Sequence, residues 1–392
     1  MFPITVDVLI LGAGAAGLFC AKTAGARGRR VLMLDHAPEP GRKILLSGGG
    51  KCNFTNRAVR REHYLSANPR FCVSALAQYS AADFVAWIEA HQIACEERTA
   101  GQLFTCHGAA QIVQALWHDC EQAGVRCMLG IKLERLEKQA DFVAHTSQGV
   151  IHATRVVVAT GGLAYPQCGA TSFGYTLAVQ FGVPLIATHP GLVPLRVRQP
   201  ERTHLAALSG IAVRAKLGCA QHVFCDDLLF THHGLSGPAA LQISSYWQPG
   251  QALMVNLLPD LDVAHELALR RDAYMPLAQW LARFLPRRVA HTVCDLHGLP
   301  TKPLAQFSRA EMTRSVAALQ HWQITPEATL GYDLAEVTVG GVDTAAVSSK
   351  TMEARAVPGL FFVGEVLDVA GQLGGYNLQW AWSSGFVAGQ NV

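Results

Sequence analysis

An α/β fold on a parallel sheet, with a further domain inserted into it, is predicted by three features of the chain. An apolar strand, Val6-Asp7-Val8-Leu9-Ile10-Leu11, runs straight into Gly12-Ala13-Gly14-Ala15-Ala16-Gly17, and a helix-forming run, Leu18 to Ala26, follows. A second strand, Arg30 to Leu34, ends on Asp35. Two more apolar strands end in glycine: Val156-Val157-Val158-Ala159-Thr160-Gly161-Gly162, and Pro358-Gly359-Leu360-Phe361-Phe362-Val363-Gly364-Glu365. Strand, glycine turn, helix and acid-tipped strand in this order form a Rossmann-like dinucleotide-binding unit.

Each residue type has a physical task. Gly12 permits the tight turn, Gly14 lets a pyrophosphate approach the backbone, and Gly17 lets helix and strand pack closely. Ala13, Ala15 and Ala16 complete the turn and put small side chains beside the ligand. The helix N-terminus presents free N–H groups and a positive dipole end to the phosphates. Asp35 is placed to accept hydrogen bonds from a ribose diol. A bound dinucleotide explains strand, helix and acid together, where a purely structural turn explains only the glycines.

Composition fits an enzyme with a large core. The 392 residues allow two or three domains. A net charge of +3 lacks the strong basic excess of a dedicated nucleic-acid binder. No apolar run of spanning length is read, so no membrane association is expected. The apolar N-terminus lacks a basic leader and is explained as the first strand, so a cytoplasmic location is expected. The 11 cysteines then read as thiols, and none falls in a C-x-x-C pair. The 16 histidines show no H-E-x-x-H spacing, and no metal is expected.

The fingerprint alone fits NAD or FAD. No second fingerprint for a nicotinamide is found, and the later motifs favour FAD. Thr160 and Gly161 bring a second backbone turn to the ligand. Gly364 and Glu365 bring an acid, and Gly374-Gly375-Tyr376-Asn377 opens a last helix, Leu378 to Ala388. The N-terminus of that helix suits the flavin pyrimidine end, where negative charge develops on reduction.

The long run Gly41-Arg42-Lys43-Ile44-Leu45-Leu46-Ser47-Gly48-Gly49-Gly50-Lys51-Cys52-Asn53-Phe54-Thr55-Asn56 resembles the signature of one bacterial flavoprotein family. That family comprises NAD(P)/FAD-dependent oxidoreductases, aminoacetone oxidase-like enzymes and flavoproteins similar to the bile-acid dehydroxylation reductase. The resemblance continues through Thr231 to Pro238, Val337 to Val342, Thr351 to Glu353 and Gly364 to Ser384, and so spans nearly the whole chain. It implies FAD, a glutathione-reductase-like FAD domain with an insertion, and Glu365 on the ribityl chain. The chain departs from the pattern at Gln102 to Thr105, at Gly169 to Gly174, at Ala370, and at Asp35 where glutamate is commoner. Each change removes or shortens a polar group, which suggests a more apolar pocket and leaves the substrate open.

The cofactor motifs lie at the two ends of the chain. An FAD-binding domain is therefore expected over 1–188 and 331–392, a barrel-like β-rich insertion over 189–258 and a helical segment over 259–330. Within the first domain, Gly130 to Leu136 reads as a strand in which Leu133 touches the adenine through its backbone. Ala212 to Leu217 alternates as a strand of the insertion, and Ser236 caps a helix over Ala239 to Ser244. Leu267, Leu277, Trp280, Leu281 and Leu285 are candidate core positions of the helical segment.

Arg42 and Lys43 follow the second strand on the pyrophosphate side, and at least one is expected to face FAD. Ser47 and Gly48 begin a turned backbone at the flavin ring. Cys52 is a candidate nucleophile if Lys51 stabilises its thiolate, against a plain packing role. Asn53 is a hydrogen-bond partner of the flavin or of its own loop. His233 is a candidate proton donor, against a role capping its turn. Tyr376 is expected to cover the ring or bond to it.

The leading expectation is an FAD-dependent oxidoreductase acting on a small organic substrate. A nicotinamide, NADPH or NADH, serves as transient donor, or oxygen as acceptor. The alternative is a flavin-dependent tRNA-modifying enzyme, supported by the arginines at 283, 287 and 288. The outsider is a non-enzymatic flavin sensor. Oligomeric state is not readable.

Overall fold

The computed structural model describes residues 4–270 and 274–392. Two compact units are present: Met1–Pro190 with Glu336–Val392, and Gly191–Ala335.

The first unit is organised by the strand Ile4–Leu11. Its Val8, Leu9 and Ile10 are fully buried, as expected for a parallel strand covered on both faces. It pairs in parallel with Val31–Asp35 on one side and Gly149–Val158 on the other. Arg126–Leu129 lies beyond Val31–Asp35, and Leu360–Phe362 beyond the end of Gly149–Val158. This is the Rossmann strand order. The first half of Gly149–Val158 also carries an antiparallel flap of Phe142–Thr146 and Leu133–Lys138.

The helix after the glycine turn is Ala15–Ala26, three residues longer at its start than the predicted Leu18–Ala26, because the turn itself supplies the first helical residues. It packs against the last helix, Tyr376–Asn391. Glycine makes that approach close: a Cβ on Gly385 would collide with the Ala16 carbonyl, and one on Gly389 with Thr23 and Cys20. Beneath lie Phe19, Phe84 and Trp382, with Phe84 and Trp382 stacked at 4.6 Å. Such a pair contributes roughly 0.5–1.5 kcal/mol beyond its area. One stretch, Phe71–Ala90, has the length and apolarity of a spanning helix by composition alone. It consists of two helices, Phe71–Gln78 and Ala81–Ala90, divided where Ser80 caps the second through the Asp83 N–H.

The second unit has a seven-stranded antiparallel sheet. Its order is Trp322–Ile324, Leu253–Asn256, Ala212–Cys219, His222–Phe230, Gly234–Ser236, Leu195–Val197, Pro326–Thr329. The two edge strands are consecutive in the chain, separated by Thr325 alone, so the sheet is rolled. Ala212–Cys219 alternates exposed and buried residues along its length, so one face lines the core. Leu267, Leu277, Trp280, Leu281 and Leu285 are all buried in that same core. Strands and helices on either side of residue 258 thus share one interior.

Candidate functional site

The glycine turn separates space for the fold from space for a ligand. Gly12 has φ +114°, and a Cβ there would overlap the Ala159 carbonyl. A Cβ on Gly17 would lie 1.9 Å from the Gly12 carbonyl oxygen. A Cβ on Gly14 would meet nothing within 4 Å. The first intrahelical bond runs from Leu18 N–H to the Gly14 carbonyl, so the N–H groups of Ala15, Ala16 and Gly17 have no carbonyl within the helix. No acid lies in the first turn to compete for them. This is an anion cradle of pyrophosphate character.

Asp35 is tied into that turn. Its Oδ2 accepts from the Ala13 N–H at 2.6 Å and its Oδ1 from the Ala37 N–H at 2.8 Å. Each oxygen keeps a lone pair for a ribose hydroxyl. Ile131 donates to the Asp35 carbonyl and Gly130 to that of Ala37, both at 2.9 Å. The backbone held beside the ribose acid is therefore that of Gly130 and Ile131. Leu133 begins the flap strand, pairs with Thr146 and is buried.

A second knot joins the other glycine strand ends. Glu365 Oε2 accepts from Lys43 Nζ at 2.5 Å, and its Oε1 from the Thr338 N–H at 3.0 Å. Thr338 Oγ1 accepts from the N–H groups of Leu163 and Ala164 at 2.7 and 3.2 Å. A Cβ on Gly162 would strike both Thr338 Oγ1 and Glu365 Oε1. Lys43 Nζ also sits 5.6 Å from the centre of the Tyr165 ring. Burial pushes the nearby Glu336 carboxyl up, and the Lys43 charge opposes that shift. Arg42 instead donates to the Gln167 carbonyl at 3.0 Å. Thr160 Oγ1 is buried with no hydrogen-bond partner among the described residues, a polar atom left for a ligand. Gly161 has φ +72° and open space where a Cβ would be. Gly364 is fixed from both sides: its N–H donates to Ser384 Oγ and its carbonyl accepts from Trp380 Nε1, each at 3.0 Å.

The loop after Lys43 forms the helix Arg42–Leu46 and a tight turn, Ser47–Gly50. Ser47 Oγ donates to the Ile44 carbonyl at 2.7 Å. Gly48 is closed in by Asn53 and Phe104, whereas Gly49, at φ +66°, faces open space. Cys52 is fully buried, and burial pushes its thiol up to about 12 despite a contact with Ser47. Lys51 is exposed and lies 3.8 Å from Glu96. Burial disfavours the thiolate that a nucleophile needs, which supports the packing role over the nucleophile. Cys52→Ser is expected to retain FAD and most turnover, read by flavin absorbance and steady-state rate. Complete loss of turnover with FAD bound would restore the thiol to catalysis.

The hydrogen bonds of Asn53 go to its own loop and to the start of the last helix. With its amide assigned to satisfy both ends, it donates to the Thr55 and Leu103 carbonyls, each at 3.2 Å, and accepts from the Gly375 N–H at 3.1 Å. It thereby ties the loop to the start of the last helix. Asn56 Nδ2 donates to the Gly374 carbonyl at 3.1 Å, and Gly374 and Gly375 have φ +128° and +93°. Tyr376 is buried with its ring 4.3 Å from that of His63, and its carbonyl accepts from Tyr64 Oη at 3.0 Å. The Asn377 amide is bound to both backbone groups of Gly371, at 2.7 and 2.9 Å. These side chains fix the helix start. The group left to face a ligand is the backbone N–H set of Tyr376, Asn377 and Leu378, since the first intrahelical bond is from Gln379 to Gly375.

His233 lies in the second unit. Burial, then His232, Arg196 and Arg202, hold its imidazole below the usual value. A lowered value disfavours the charged form that a proton donor would use. Sequence reasoning also missed Thr338, Tyr165, Glu336 and Ile131. The glycine-rich Val337–Val342 strand was the one signal that pointed towards Thr338.

The residues present fit an FAD. The Gly14 cradle and the N-terminus of Ala15–Ala26 suit its pyrophosphate, Asp35 its ribose, and Glu365 its ribityl chain. The N-terminus of Tyr376–Asn391 suits its pyrimidine end. The family model described as the HI0933-like protein Rossmann domain matches residues 6–391. The chain is 46% identical over 390 residues to the ribosomal RNA dihydrouridine synthase of Escherichia coli K12, covering 98% of each chain. It is 43% identical to the Haemophilus influenzae protein of the same name, again over 98% of each. It is 30% identical to the 3-dehydro-bile acid delta(4,6)-reductase of Clostridium scindens, over 97% of each. Among solved structures, the 3-ketosteroid-delta4-(5alpha)-dehydrogenase of Rhodococcus jostii RHA1 shares the fold. Its TM-score is 0.51 at 14% identity, covering 99% of this chain and 98% of that one. The chain belongs to the HI0933-like family and is an FAD-dependent oxidoreductase.

Proposed function

We propose that this enzyme reduces uridine to dihydrouridine in ribosomal RNA, with NADPH or NADH as a transient electron donor. The observation that carries the reading is the 46% identity, over 98% of both chains, to the Escherichia coli ribosomal RNA dihydrouridine synthase. This favours the RNA-modifying alternative over a small organic substrate, with ribosomal in place of transfer RNA.

One chemistry serves both kinds of substrate named for these relatives. Uracil has a C5=C6 bond conjugated to its C4 carbonyl, and an unsaturated 3-oxo steroid has a similar conjugated alkene. In each, a hydride adds to the carbon β to the carbonyl and a proton to the α carbon. Bound FAD supplies the hydride after taking two electrons from the nicotinamide, so that NADPH, a proton and uridine give NADP⁺ and dihydrouridine. The protein's part is placement. The Lys43–Glu365–Thr338 knot holds the ribityl acid, and the N–H groups of Tyr376 to Leu378 oppose charge that develops at the pyrimidine end. Among the groups beside that knot, Glu336 holds its proton to higher pH than an ordinary glutamate.

Nucleoside mass spectrometry of ribosomal RNA tests the reading. Cells that carry this chain are expected to hold a uridine about 2 Da heavier than normal, the mass of two added hydrogens. Deletion should remove it, and the chain should restore it. An unchanged dihydrouridine content in ribosomal RNA after deletion overturns the reading and favours a small conjugated ketone as substrate.

A further inference from the structure

The second unit carries a concentration of arginine that its own interior does not use. Arg196 stands opposite Gly234 in the pairing of Leu195–Val197 with Gly234–Ser236. The His233 carbonyl accepts from the Val197 N–H at 3.0 Å, so the His232–His233 turn abuts this strand. The helix Glu201–Ala206 follows at once, and the Arg202 N–H bonds the Arg198 carbonyl at 2.9 Å. The helix Arg287–Leu296 joins the same face, because the Arg288 guanidinium donates to the Ala207 carbonyl. That helix buries Val289, Ala290, Val293 and Cys294, and leaves Arg287, Arg288 and His291 exposed. The ion pairs found in this unit, Arg214–Asp260, Arg270–Glu266 and Lys302–Glu311, use none of these arginines. Two acids lie on these elements: Glu201, which interacts with His297, and Asp295, exposed on the helix Arg287–Leu296.

Two stretches far apart in sequence, 196–202 and the helix Arg287–Leu296, thus carry guanidinium groups with no carboxylate partner among the described residues. A guanidinium without a carboxylate partner suits a phosphate, which it binds in a bidentate fork. We propose that the face carrying Arg196, Arg198, Arg202 and Arg287 grips the RNA phosphate backbone. This rests on the reading above of RNA as substrate. Phosphate contacts of this kind set position and affinity, whereas the base is chosen elsewhere.

The test compares the holoenzyme with Arg196→Gln/Arg202→Gln/Arg287→Gln, by fluorescence anisotropy on unmodified ribosomal RNA transcribed in vitro across a range of salt. Flavin content and thermal midpoint should match the parent. The Kd of the variant is expected to rise about tenfold at low salt, and its salt slope to fall by about 2–3, the loss of three phosphate contacts. With limiting RNA, KM for dihydrouridine formation should rise while kcat is kept. Equal Kd and slope in parent and variant overturn the surface and leave the RNA reading intact. A parent holoenzyme that binds no RNA at low salt overturns both. Vesicles of phosphatidylglycerol are a further arm: vesicle binding lost in the variant, with RNA binding unchanged, assigns the face to a membrane and overturns the proposal.

Discussion

Gly14→Val should purify folded and colourless. The residue caps the helix with φ −84° and ψ −169°, an extended conformation that valine adopts readily. No protein atom lies within 4 Å of a Cβ there, so the apoprotein accommodates it. Losing a glycine cap for valine costs at most about 1 kcal/mol. The isopropyl group would occupy the space that the unpartnered N–H groups of Ala15 to Gly17 face, and would hold a pyrophosphate away from them. The expected result is loss of nearly all bound flavin, with circular dichroism and the thermal midpoint close to those of stripped parent protein. A fully yellow Gly14→Val would remove the cofactor from this turn.

Gly17→Ala, three residues away in the same motif, should fail in the opposite manner. Its added methyl would lie 1.9 Å from the Gly12 carbonyl oxygen, with the Ala159 methyl 3.4 Å away. The first of these neighbours is backbone and cannot turn aside. Helix Ala15–Ala26 would have to shift from the sheet, and with it the tight seam at Gly385 and Gly389. Overpacking of this kind costs about 3 kcal/mol or more. Insoluble protein, or soluble protein with a sharply lowered thermal midpoint even when saturated with FAD, is the expected outcome. A variant with unchanged midpoint would mean that helix and strand do not approach as closely as described.

The contrast between these two glycines shows why so much of the cofactor site was legible. A strand, a glycine turn and a helix are set by local backbone demands, and the residues that meet them lie within a dozen positions. Asp35 and the glycine ends at Thr160–Gly161 and Gly364 were readable for the same reason. What was not readable depends on partners brought together by the fold. Lys43 and Glu365 are 322 residues apart, and no local pattern pairs them. Burial of Cys52 depends on the surrounding core, and Lys51, its supposed partner, reaches outward to Glu96 instead. Tyr376 and Asn377 sit in a motif that looks ligand-facing, yet their side chains are spent on His63 and Gly371. The strand predicted from Gly130 begins only at Leu133, because Gly130 and Ile131 are drawn to the carbonyls of Ala37 and Asp35.

The second unit repeats the lesson. Its alternating strands and its core leucines could be picked out from period alone. That they share one interior could not, since Ala212–Cys219 and Arg287–Leu296 meet only through the rolled sheet and its covering helices. The arginines at 287 and 288 drew notice as a run on one helix. Ala207, whose carbonyl the Arg288 guanidinium meets, lies more than eighty positions earlier, just after the helix that carries Arg202.

The most direct test is an anaerobic mixing experiment on the holoenzyme in two steps. NADPH, and separately NADH, is added first, and flavin absorbance is followed near its visible maximum. Unmodified ribosomal RNA is added second. Bleaching by a nicotinamide, then recovery of absorbance on adding RNA with one dihydrouridine formed per flavin reoxidised, is the predicted result. Reduced flavin that ignores RNA yet is reoxidised by an unsaturated 3-oxo steroid would contradict the assignment to ribosomal RNA.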